Sequence, residues 1–149
     1  VNELADLVDD GYCIGCGPHS QIGLRMQFET TADGSVESRI VLPRSYQGWR
    51  DIAHGGVVAL LLDEAMAYAA AASGVLGVTA ELKLRFRNAA PTGTPLVVRA
   101  NVVWRRGDVL ATSATLGDGS GTEFASAEGR FIARGTLAAG QRFGTLDGR

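Results

Sequence analysis

Ala53–Ala70 reads AHGGVVALLLDEAMAYAA. Beyond the triplet His54-Gly55-Gly56, apolar side chains surround a helical wheel: Val57, Val58, Leu60, Leu61, Leu62, Met66 and a series of alanines. A helix without a polar face is buried on most of its sides, so the pattern predicts a buried helix over about 56–72. Two adjacent carboxylates, Asp63 and Glu64, interrupt it. The residues one turn from Asp63 (Ala59, Leu60, Met66 and Ala67) are all apolar. A carboxylate there is partly desolvated and its pKa is pushed upward, which suits a base or a nucleophile. Glu64 lies about 100° further round the helix and is long enough to reach water or a basic strand residue. The plain alternative is that the two acids mark the helix's one solvated stripe.

Outside this helix the apolar period shortens to two. Leu24, Met26 and Phe28 alternate with Arg25, Gln27 and Glu29 in GLRMQFET; Asp33-Gly34 supplies a turn, and SVESRIVL returns as the hairpin partner. After the helix, Leu82, Leu84 and Phe86 alternate with Lys83, Arg85 and Arg87, and three more strands are expected at about 95–106, 109–117 and 122–134. Two strands, one helix and four strands leave too few helices to connect parallel pairs, so the sheet is expected to be mainly antiparallel. The predicted class is α+β: a long helix against a curved sheet of five to six strands. The 149 residues form one domain, 1–149. About 1–11 is an N-terminal extension with a short helix at 1–10, and about 135–149 is a Gly-rich tail expected to fray.

Composition narrows the function. Hydrophobic residues make up 46% and charged residues 20%, a globular balance. A net charge of −2 argues against broad electrostatic binding to nucleic acid or anionic lipid. No uninterrupted apolar run reaches the roughly 18 residues of a membrane span, and VNELADLVDDGY lacks the basic and apolar regions of a secretory signal. The expectation is a cytoplasmic protein with no membrane partner. Cys13 and Cys16 form a single C-x-x-C. A structural zinc wants about four ligands; there is no second pair, and only His19 and His54 would complete a set. A redox pair would sit between a strand and a helix, whereas GYCIGCGPHSQIG is turn-rich. The pair is therefore read as two thiols in a structured loop, with no metal.

At the helix start, unpaired amides and the positive end of the dipole face outward. Gly55 and Gly56 admit close approach by an oxyanion or polarised carbonyl; alternatively they only make a tight entry to the helix. Thr79 on its own is an ordinary strand residue. Lys83, Arg85 and Arg87 form a cationic face that is either merely solvated or binds a phosphorylated ligand. Tyr46, Trp49 and Trp104 are expected to pack.

HGGVVALLLDEA, with an acid nine positions after the His, closely resembles the helix motif of PaaI-like hotdog-fold acyl-CoA thioesterases. CIGCGPHSQIGLRMQF, YQGWRDIAHGG and VTAELKLRFRNAAPTG are similar to further segments of that family, together spanning about residues 12–134. The resemblance implies a hotdog fold and hydrolysis of an acyl-CoA thioester. It makes Asp63 the general base or nucleophile and the Gly55 backbone N–H the group that polarises the thioester carbonyl. Thr79 would hold the acid or the water, and His54 would shape the loop and hydrogen-bond nearby, with Gly56 and Gln47 counted among the substrate-binding residues. Some relatives carry Asn or Gln six residues before the His; here Gly48 stands there and Gln47 is one earlier. Arg85 and Arg87 match a basic surface for the coenzyme A phosphates, with Glu64 counted among the substrate-binding residues. Asn88-Ala89-Ala90-Pro91 replaces a more proline-rich ending. The site would form between two subunits of a homodimer or homotetramer, with no cofactor beyond the coenzyme A of the substrate. The competing readings are a non-catalytic acyl-CoA binder or sensor, and a hotdog enoyl-CoA hydratase or dehydratase using His54 and Asp63.

Overall fold

Alternating apolar residues build most of the strands where they were expected. The computed structural model describes residues 7–137, 142–144 and 146–147. Its strands are β1 (Glu29–Thr30), β2 (Val36–Val41), β3 (Val75–Phe86), β4 (Pro95–Arg106), β5 (Val109–Gly117) and β6 (Glu123–Thr136). They form one antiparallel sheet in the order β1-β2-β4-β5-β6-β3. Against it lies α1 (Gly55–Ala72), which buries Leu61, Leu62, Ala65, Met66 and Tyr68 on Val36, Leu96, Val98, Leu110, Leu116 and Phe131 of the sheet. By length and mean hydropathy, 18 residues at 1.4, α1 would pass as a membrane span; half of it is buried inside the fold.

The helix comes close to β6 at Gly129. A Cβ there would stand 2.7 Å from Thr112 Oγ1 and 3.0 Å from Met66 Sδ. Gly129→Ala is therefore expected to overpack the core and destabilise the chain by about 1–3 kcal/mol. Urea unfolding checks this as a lower midpoint at an unchanged slope.

Four expectations need correction. The strand expected across 23–30 pairs only at Glu29–Thr30. Arg25 adopts φ 52°, and the Leu24 and Met26 amides donate to the carbonyls of Ile14 and Gly15, both at 2.9 Å. The alternation was real, since Met26 and Phe28 are buried, but the backbone takes the cysteine loop as its partner. At the C-terminus, β7 (Arg142–Phe143) and β8 (Leu146–Asp147) pair as a two-stranded ribbon, and Phe143 meets the Tyr68 ring edge-on at 4.9 Å. Trp49 is 81% exposed rather than packed, whereas Trp104 has the guanidinium groups of Arg106 and Arg130 over its ring at 5.1 and 5.0 Å. Most of the expected helix at 1–10 lies outside the described residues; 7–10 are not helical.

β3 ends the sheet on one side, and no other described strand pairs with its outer edge. It is 12 residues long, with Thr79, Ala80 and Glu81 exposed. An uncovered edge of that length presents a row of free backbone donors and acceptors.

Candidate active site

The entry to α1 is held by its own cap. His54 is extended at φ −60°, ψ 136°, and its Nδ1 accepts from the Gly56 N–H at 2.9 Å. A neutral ring accepting at Nδ1 carries its proton on Nε2. The His54 N–H donates to the Tyr46 carbonyl at 3.0 Å. Gln47 Oε1 accepts from the Asp51 N–H at 3.2 Å, across a turn in which Asp51 has φ 62°. Gln47 thus fastens the approach loop. Of the two glycine amides considered from the sequence, Gly56 is occupied by the imidazole. Gly55 is exposed at the first helical position, where an N–H has no carbonyl within the helix to bond. Gly55, Phe86 and Arg87 border a groove of about 260 Å³.

Two turns along α1, Asp63 Oδ1 accepts from the Thr79 hydroxyl at 2.8 Å. Burial pushes the Asp63 carboxyl above its ordinary pKa, and the Thr79 bond works against that rise. Simple alternation does not bring Thr79 to this side. Leu82 and Leu84 pack on the core, so a regular strand would turn an odd-numbered residue outward. The β3–β6 register shifts between Thr79 and Glu81, inserting Ala80 as a bulge. One extra residue exchanges the two faces, so Thr79 joins the leucines on the helix side.

Glu64 faces elsewhere. Its carboxylate accepts from the Cys13 thiol at 3.4 and 3.6 Å, and no ion pair among the described residues involves it. Burial raises its pKa, opposed by the Cys16 and Cys13 thiols. The expected reach to water or a basic strand residue is thereby corrected: helix rotation aims Glu64 at the 13–17 loop, away from Thr79. Sequence reading missed this grouping, because Cys13 and Glu64 are 51 positions apart. Arg85 and Lys83 are exposed on β3. Arg87 Nε pairs with Glu123 Oε2 at 2.7 Å, so its charge is shared. Gly55 and Asp63 stand eight positions apart on one rigid helix, a rise of about 12 Å.

Residues 51–125, half of the chain, match the family model of the thioesterase superfamily. No curated protein matches the sequence. Among solved structures, a thioesterase superfamily protein is 31% identical and superimposes with a TM-score of 0.78 over 82% of this chain, which spans 60% of that protein's length. A Streptococcus mutans protein, crystallised with acetyl-CoA, gives 0.70 at 17% identity, covering 76% of this chain and 91% of that one. The E. coli PaaI protein of the phenylacetic acid degradation operon gives 0.69 at 19% identity, covering 77% and 84%. The last two likenesses speak to the fold: one long helix packed against a six-stranded antiparallel sheet. The chain belongs to the thioesterase superfamily and has its hotdog fold.

Proposed function

We propose that this chain hydrolyses an acyl-CoA thioester to the free acid and coenzyme A, working as a homodimer or an assembly of dimers. The observation that carries the reading is the Asp63–Thr79 pair: a desolvated carboxylate held by a hydroxyl at 2.8 Å, on a helix beside the uncovered edge of β3. Antiparallel pairing of two β3 edges would bring Asp63 of one subunit toward the helix start of the other. That meets the roughly 12 Å separation within one chain.

In this reading Asp63 removes a proton from water as the water oxygen bonds to the thioester carbon. The carbonyl oxygen gains the electron pair and is held by the partner's Gly55 N–H at the positive end of its helix. The C–S bond then breaks, the carbonyl re-forms, and the departing sulfur takes the proton. Direct attack by Asp63, followed by hydrolysis of the resulting anhydride, starts from the same carboxylate. His54 and Gln47 act by holding the loop that presents Gly55. Lys83 and Arg85, with Arg87 partly neutralised by Glu123, supply positive charge for the coenzyme A phosphates. A thioester is already activated toward attack, so no further cofactor is required.

A panel of aryl-, short- and medium-chain acyl-CoAs, followed with a thiol-trapping dye, tests the reading. Release of free coenzyme A thiol is the expected result. Loss of enoyl absorbance without thiol release would replace the proposal with hydration, and binding without turnover would replace it with an acyl-CoA sensor.

A further inference from the structure

We propose that Cys13, Cys16 and Glu64 form a binding site for one zinc-class divalent ion, separate from the thioester site. The sequence alone left the thiol pair two ligands short; the fold supplies a third from the central helix. Cys13 Sγ, Cys16 Sγ and a Glu64 oxygen all lie within 4.8 Å of one another. Tetrahedral zinc, with Zn–S near 2.3 Å and Zn–O near 2.0 Å, sets neighbouring S and O ligands about 3.5 Å apart. Cys13 Sγ stands 3.4 and 3.6 Å from the two Glu64 oxygens.

The surroundings are those of a ligand set. The Gly15 N–H donates to Cys13 Sγ at 3.3 Å, and the Gly17 N–H closes the turn on the Cys13 carbonyl at 2.7 Å. Tyr68, itself fully buried, hydrogen-bonds Cys16. Such outer contacts orient ligating sulfurs. Gly15 is the close approach that makes the grouping possible: a Cβ there would fall 2.5 Å from the Glu64 carboxyl carbon and 2.6 Å from Oε2. Two thiols and a carboxylate thus converge with no cationic side chain paired to Glu64 among the described residues. A divalent ion would bind them by displacing the thiol protons. Two thiolates with one carboxylate select zinc over magnesium or calcium, which prefer all-oxygen sets. The fourth position falls to water, since the cluster borders a cavity of about 720 Å³. The nearby Asp9 and Asp10 carboxylates are already engaged by the Gly11 and Tyr12 amides. The histidines weighed from the sequence play no part here: His54 caps α1, and the His19 ring lies tilted against Tyr12 at 5.6 Å.

The ion would fasten the 11–22 loop to the middle of α1. The reduced, chelator-stripped full chain is titrated with Zn²⁺ against a chromophoric chelator, and with Co²⁺ by absorption. The expected result is one ion per chain with an apparent Kd of about 1 μM or tighter, and a thiolate-to-cobalt charge-transfer band. Cys13→Ser and Cys16→Ser should each weaken zinc binding by about 100-fold, and Glu64→Gln by about tenfold or more. On the unmodified chain, Zn²⁺ should also protect both thiols from alkylation, a readout that stands even if a variant fails to fold. Absence of stoichiometric zinc, unprotected thiols, or affinity unchanged in both serine variants would overturn the site. None of these readouts depends on thioester turnover.

Discussion

Asp63→Asn is expected to lower acyl-CoA turnover by about 10²-fold or more, the scale for losing a positioned general base. The substitution is nearly isosteric, and the Asn carbonyl oxygen can still accept from the Thr79 hydroxyl, now 2.8 Å from Asp63 Oδ1. What disappears is the basic lone pair that takes a proton from water, or that attacks the thioester directly. The fold should not suffer, because burial already disfavours the ionised carboxyl at this position; an amide meets less desolvation cost. The variant should therefore melt no lower than the parent while binding acyl-CoA with similar affinity. Steady-state kinetics with thiol detection, together with a thermal melt, check both halves. A near-parental rate in a folded variant would remove Asp63 from the chemistry. Thr79→Val gives a graded companion, since it removes the hydroxyl without touching the acid.

Where the sequence was legible, one local rule governed the outcome. β4 and β5 fall at 95–106 and 109–117 as expected because apolar, β-branched runs are bounded by a Gly107 turn at φ 57° and by the Gly117–Gly121 segment. The central helix was legible because only a core position tolerates apolar residues on every side. Most of the missed features depend on contacts remote in sequence or on local side-chain geometry that composition does not show. β1 shrinks to two residues because the cysteine loop competes for the backbone of Leu24 and Met26. Thr79 turns toward Asp63 through a bulge at Ala80, and an alanine carries no signal for a bulge. The choice between the Gly55 and Gly56 amides is made by the His54 ring, which lies over Gly56. Asp63 and Glu64 look equivalent in the chain, yet 100° of helical rotation sends one to a strand hydroxyl and the other to two thiols.

Gly55→Pro is expected to cost about 10²–10³-fold in kcat, the scale for deleting one oxyanion donor, while leaving the helix start intact. Proline is favoured at the first helical position. His54 already has the extended backbone, φ −60° and ψ 136°, that a residue before proline adopts. A Cβ at Gly55 would meet only the Phe86 ring, at 3.8 Å. The amide proton is thus removed with little change of shape, and Gly55→Ala, which keeps that proton, should remain close to the parent. The sharper consequence concerns the two lesions together. If Asp63 and Gly55 act across a two-fold interface, a mixed dimer of Asp63→Asn and Gly55→Pro chains contains one doubly damaged site and one wholly intact site. Random pairing makes half of the dimers mixed, so coexpressing two nearly inactive chains should restore about a quarter of parental activity. A single chain carrying both substitutions should restore nothing with either partner variant beyond its residual rate, because it never supplies a sound acid and a sound amide to the same dimer site. Failure of coexpressed, demonstrably mixed dimers to recover activity would defeat the shared site, and with it the role of the uncovered β3 edge in assembling it.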